Sequence, residues 1–67
     1  MVFEHFYRSQ YTRVVAVVYA LSGSRVAAEE ITQDAFVKAH SRWGEVASHP
    51  NPEAWIRRVA INLATSN

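Results

Sequence analysis

Along the first third of the chain, apolar side chains return every three or four positions, at Phe3, Phe6, Tyr7, Tyr11, Val14, Val18 and Leu21. That spacing winds one stripe down an α-helix, and a helix from Phe3 to Leu21 is expected. The β-branched run from Val14 to Tyr19 would also suit a buried strand. The stripe continues on both sides of it, however, and no other segment reads as a partner strand, so length decides for helix. Gly23 suits the left-handed residue after a helix C-terminus, and the Ser24 hydroxyl can accept from the free amides of a following helix.

The second stripe is Ala28, Ile31, Ala35, Phe36, Ala39 and Trp43, which predicts a helix from about Arg25 to Trp43. Glu29 and Glu30 lie toward its positive end and Lys38 and Arg42 toward its negative end, as the helix dipole favours. Gly44 to Pro52 has the Gly, Ser, Asn and Pro content of a loop. Asn51 before Pro52 supplies an N-cap with proline at the first helical position, so a third helix starts there. Trp55, Ile56, Val59, Ala60 and Leu63 form its apolar face. Three amphipathic helices of this kind can close one core as an all-α, three-helix orthogonal or antiparallel bundle. Its expected core is Phe3, Phe6, Tyr7, Val14, Val18, Ile31, Ala35, Phe36, Val59 and Leu63.

A chain of 67 residues makes one domain, 1–67, and a domain this small buries only about 60% of the surface its unfolded chain exposes. With 49% hydrophobic and 19% charged residues, it is too apolar for disorder. It contains no Cys, which suits a reducing cytoplasm. Neither an export signal nor an apolar run of about 20 residues is present, so no membrane association is expected and the location is read as cytoplasmic. Catalysis is not expected. His5, His40 and His49 lack metal-ligand spacing, no Gly-rich phosphate cradle exists, and adjacent Glu29 and Glu30 point about 100° apart on a helix. No metal site and no cofactor follow from such a pattern.

The outward faces say more. Glu30, Gln33, Asp34, Val37 and Ser41 share one stripe of the second helix, opposite its core stripe, with apolar Val37 near the middle. A helix-docking face uses such a residue, flanked by polar groups that fix register, and a solvated face does not need one. The outer face of the third helix carries Arg57, Arg58, Ile61, Asn62 and Thr65 without a single acid. Arginines can contact phosphates, and an asparagine amide can meet a base edge. On pattern alone, this is a small helical binding module. A protein-interaction module with no DNA role remains the alternative. A helix-turn-helix reader of duplex DNA ranks last, because the break from Gly44 to Asn51 is longer than the short turn that motif needs.

The segment GSRVAAEEITQDAFVKAHSRW, followed by a short loop and PEAWIRRVAINLA, resembles region two of the extracytoplasmic-function sigma factors of bacterial RNA polymerase. The likeness runs from about Phe3 to Ala64, and AEEITQDAF and AWIRRVAINLA are its most specific parts. It implies a domain that docks its second helix on the coiled coil of the polymerase's largest subunit. The third helix and the loop before it would recognise and melt the promoter minus-ten element. By position, Glu30, Gln33, Asp34 and Val37 would face polymerase. Asn62, Arg58 and Arg57, with the loop residues Ser48, His49 and Asn51, would face the non-template DNA strand. An anti-sigma factor is a further partner the resemblance admits. Members of that family usually continue into a C-terminal region four domain, which is not present in this sequence, so the chain is expected to be a domain fragment.

Overall fold

A computed structural model describes residues 1–66. Its elements, in chain order, are α1 (Phe3–Ser22), α2 (Arg25–Ser41), α3 (Trp43–Ala47) and α4 (Pro52–Thr65), and no strand occurs among the described residues. The three long helices start where their sequence signals place them. Ser24 caps α2 by accepting from the Ala27 N–H at 3.2 Å, and Asn51 Oδ1 caps α4 by accepting from the Ala54 N–H at 3.1 Å. At the end of α1, Gly23 takes φ 73° and its N–H donates to the Tyr19 carbonyl at 2.8 Å. A side chain at that position would pay the left-handed penalty of about 1 kcal/mol.

The turn at Gly23 folds α2 back along α1. Phe3, at the start of α1, therefore meets His40 near the end of α2, with ring centroids 4.9 Å apart. The beginning of α4 lies against α1, where Gln10 Nε2 donates to Glu53 Oε2 at 3.3 Å, and α4 packs on both α1 and α2. The core at their junction is Phe6, Val14, Val18, Ala28, Ala35, Phe36, Ala39, Val46, Ile56 and Ala60. Phe36 is its hub: Phe6, Tyr7 and Tyr11 lie around it with centroids at 6.0, 4.9 and 6.1 Å. Phe3, Tyr7, Ile31, Val59 and Leu63, expected in the core, are partly buried around its margin.

Four details differ from the pattern in the sequence. The second helix stops at Ser41, short of the expected Trp43, and Trp43 instead begins α3, whose remaining residues lie in the stretch expected to be loop. The break at Arg42, φ −119° and ψ 34°, turns Trp43 inward onto Phe3 and Phe6, at centroid distances of 5.3 and 5.4 Å. It also buries Val46 completely. Leu21 shares the angular phase of the α1 stripe but is 53% exposed, near the end of a helix whose buried residues stop at Val18. Gln10 and Thr32, polar residues outside the expected stripes, are buried instead. No helix among the described residues is long and apolar enough to cross a membrane.

Thr32 has no hydrogen-bond partner for its Oγ1, although the side chain is fully buried. An unpaired buried hydroxyl keeps its desolvation cost and gains nothing in return. Thr32→Val, which keeps the branched shape and removes the hydroxyl, is therefore expected to raise stability by about 1 kcal/mol in chemical denaturation. A loss of similar size would show that the hydroxyl has a partner in solution.

Candidate functional site

Three ion pairs occur among the described residues, and all are local: Arg8–Glu4 at 3.1 Å, Arg25–Glu29 at 3.4 Å and Arg42–Glu45 at 3.1 Å. Each lies between exposed side chains, where such a pair contributes little to stability. Their consequence is for what remains. Glu30 and Asp34 have no cationic partner, and Arg13, Lys38, Arg57 and Arg58 have no carboxylate partner among the described residues. Among the described residues, the Glu53 carboxylate accepts from the neutral Gln10 amide and has no cationic partner. Two of the three carboxylates without a cationic partner are thus on α2, the third, Glu53, is in the first turn of α4, and two of the four unpaired cations sit side by side on α4.

On α2, Glu30, Gln33, Asp34 and Val37 are all exposed, on the side away from the buried Ala28, Thr32, Ala35 and Ala39. Val37 is 68% exposed. Beside it, Phe3, Tyr7, Gln33, Phe36, Val37 and His40 line a recess of about 330 Å³. The face is therefore not a single-helix surface, because α1 contributes two aromatic rings to it. The sequence stripe missed Phe3, Tyr7 and His40 as members of this face. The available signal was the spacing of Gln33, Val37 and His40, which leans the stripe toward α1.

On α4, Arg57, Arg58 and Asn62 are exposed, and Ile61 is half-buried. The helical repeat divides them. Arg58 and Asn62 are one turn apart and share a stripe with Trp55, whereas Arg57 is rotated away from Arg58 by about 100°. A second recess of about 330 Å³ lies where this stripe meets the loop, lined by His49, Ala54, Trp55, Arg58 and Val59. It brings together Arg58 and His49, two of the sequence-derived contacts, and adds Trp55. Arg57 and Asn62 do not line it.

The loop that closes this recess is held by its own side chains. Ser48 Oγ donates to the carbonyls of Gly44 at 2.8 Å and Glu45 at 3.2 Å, fastening the end of α3. The Asn51 N–H donates to His49 Nδ1 at 2.9 Å, and Asn51 Oδ1 caps α4. Of the three loop residues expected at a strand interface, Ser48 and Asn51 spend a side-chain oxygen on local structure. His49 retains one ring nitrogen, and Asn51 its amide nitrogen. Such bonds fix the shape of a loop before anything binds, which lowers the ordering cost of binding. No group of three or more His, Cys, Asp or Glu among the described residues could hold a metal ion.

A family model described as Sigma-70 region 2 matches residues 6–67. No curated protein and no solved structure matches the chain.

Proposed function

The chain belongs to the sigma-70 region 2 family, which acts in RNA polymerase binding and promoter recognition, and from that premise we propose a division of labour between its two outward faces. The α2 face, with Glu30, Gln33, Asp34 and Val37, docks on the coiled coil of the largest subunit of core polymerase. The α4 face and its loop hold the non-template strand of the minus-ten element as the duplex melts. Asn62 reads a base edge, Arg58 and Arg57 meet phosphates, and Ser48, His49 and Asn51 shape the loop. No covalent chemistry is required, because an unstacked base is held by contacts alone. The subtype is extracytoplasmic-function, the setting is cytoplasmic, and an anti-sigma factor is a further partner.

The observation that carries this reading is that the exposed stripe around Val37 on α2 holds the unpaired Glu30 and Asp34, whereas the Arg58–Asn62 stripe of α4 holds no acid. Carboxylates around an exposed valine suit a protein partner with basic residues, and they would repel DNA. A guanidinium without a neighbouring acid, as at Arg58, suits phosphates. A solvated helix would gain from a glutamate one turn from Arg58, yet those positions are Ala54, Trp55, Ile61 and Asn62, and Glu53, one turn before Arg57, accepts from Gln10 instead.

Docking is tested by capture of core polymerase on immobilised protein. The Val37→Asp, Gln33→Ala double variant is expected to retain its helical circular dichroism and to lose capture by at least about tenfold, since one central contact is typically worth over 1 kcal/mol. Unchanged capture would return the α2 face to ordinary solvation and favour an interaction module of another kind.

A further inference from the structure

A recess of about 440 Å³ lies between the first turns of α1 and the start of α4, with Phe6, Gln10, Pro50, Pro52 and Glu53 among its lining residues. It belongs to neither of the two faces described above. Gln10 is 4% exposed, and its amide has one sensible orientation. Nε2 donates to Glu53 Oε2 at 3.3 Å and to Ser9 Oγ at 3.5 Å, whereas the reversed amide would set its oxygen against the carboxylate. The Ser9 hydroxyl donates onward to the Phe6 carbonyl at 3.0 Å, so the donors in this chain of bonds are spent. Gln10 Oε1 accepts nothing among the described residues. Thr32 Oγ1 is the sole unpartnered side-chain atom sealed from solvent among them, so Gln10 Oε1 is reachable from the recess that Gln10 lines.

The loop wall adds few donors. Pro50 and Pro52 have no N–H, and the Asn51 N–H is given to His49. Asn51 Oδ1 caps α4, which leaves the Asn51 Nδ2 free. No Lys or Arg lines the recess, and none of the three ion pairs reaches Glu53. The dipole of α4 alone would account for an acid in its first turn. It does not account for a glutamine buried beneath that acid, where an apolar side chain would avoid the cost of desolvating an amide.

We propose that this recess takes an arginine side chain of a protein partner, its guanidinium shared between the Glu53 carboxylate and Gln10 Oε1. A guanidinium carries five donors in one plane and can serve acceptors on two side chains at once. It is also more weakly hydrated than an ammonium, which suits a site walled by two proline rings. The Asn51 Nδ2 remains for a carbonyl of the partner's main chain, so an arginine within a peptide fits better than a free cation. A nucleic acid does not fit, because Glu53 would face its phosphates. The site extends the protein's contacts beyond the docking and promoter surfaces and depends on neither.

The test is a titration of the isotope-labelled protein with N-acetyl-arginine methylamide, read by NMR shifts, beside the matching lysine and citrulline compounds at constant ionic strength. Citrulline keeps the shape of arginine and lacks its charge. The arginine probe is expected to move the Gln10 side-chain amide signals and the Asn51 and Glu53 backbone signals saturably, at roughly millimolar concentration, as suits a single side chain. Lysine should bind about threefold more weakly, and citrulline at least about tenfold. Glu53→Gln keeps an oxygen for the Gln10 amide and removes the charge. It should weaken arginine binding about tenfold with the helical circular dichroism unchanged. Gln10→Met, of similar volume, removes the open oxygen and should weaken binding by a smaller factor; where it fails to fold, Glu53→Gln decides. Equal affinity for arginine and citrulline would overturn the proposal, as would wild-type affinity in Glu53→Gln. Shifts of the same size at Glu30 and Asp34 would also overturn it, by reducing the effect to general attraction between arginine and acids.

Discussion

Phe36→Ala is expected to cost about 3–5 kcal/mol of folding stability, the range for deleting a fully buried aromatic ring. Phe36 is 2% exposed and has Phe3, Phe6, Tyr7 and Tyr11 around it at centroid distances from 4.9 to 6.5 Å. The residues left behind come from one long helix, which cannot collapse into the gap without moving its whole backbone, so the cavity is retained. At about 0.05–0.15 kcal/mol per residue, a chain of this size has roughly 3–10 kcal/mol in all. The variant should accordingly be largely unfolded at 37 °C. Leu21→Ala is the control, because Leu21 is 53% exposed and should lose no more than about 0.5 kcal/mol. A loss below about 1 kcal/mol for Phe36→Ala in urea denaturation would mean the aromatic cluster is not what holds α1 and α2 together.

Removing the charged and amide groups of the α4 stripe is expected to separate promoter opening from polymerase binding. Arg58→Ala should weaken DNA binding about equally across sequences and lower the salt slope by about one unit, as the loss of one phosphate contact does. Asn62→Ala should instead flatten preference at one base position, at about 1–3 kcal/mol for that base. Because the two side chains sit one turn apart on one stripe, they are expected to bear on neighbouring nucleotides, and the double variant should lose more than either alone. Arg57, rotated away by about 100° and outside the loop recess, should matter less than Arg58. A larger effect from Arg57→Ala would place the strand on a different side of α4.

Helix starts were legible because capping is local. Ser24 and Asn51 each fix a first turn from within a few residues. The end of α2 was not legible, since the apolar period runs on to Trp43 with no proline or glycine at Arg42 to interrupt it. What stops the helix there is tertiary: Trp43 packs on Phe3 and Phe6 in another element. Gly44 read as a loop residue for the same reason, and it hid both α3 and the buried Val46. Gln10 escaped because its burial depends on Glu53, forty-three positions away. Thr32 escaped because its hydroxyl argued for an outward place. Leu21 illustrates the opposite error, a correct phase on a turn that its neighbours do not cover.

The two faces were legible as stripes, since exposure on a helix follows from angular position alone. Glu30, Gln33, Asp34, Val37, Arg57, Arg58 and Asn62 are all exposed, as their spacing requires. The recesses were not legible. One needs Phe3 and Tyr7 laid beside α2, and the other needs His49 folded back toward Trp55 and Arg58. Periodicity carries no information about how a loop returns to a helix, and the bond from the Asn51 N–H to His49 has no sequence signature of its own.

The most direct measurement is strand opening itself. Core polymerase is mixed with a pool of randomised duplexes, with and without the protein, and unpaired thymines are mapped by permanganate reactivity. If α2 docks and α4 holds the melted strand, reactivity appears only when the protein is present. It should centre on a recurring short element, and it should disappear with the Arg58→Ala, Asn62→Ala double variant even though that variant is still captured by polymerase. Opening that persists at wild-type level in the captured double variant would contradict the assignment of the α4 face to the promoter strand.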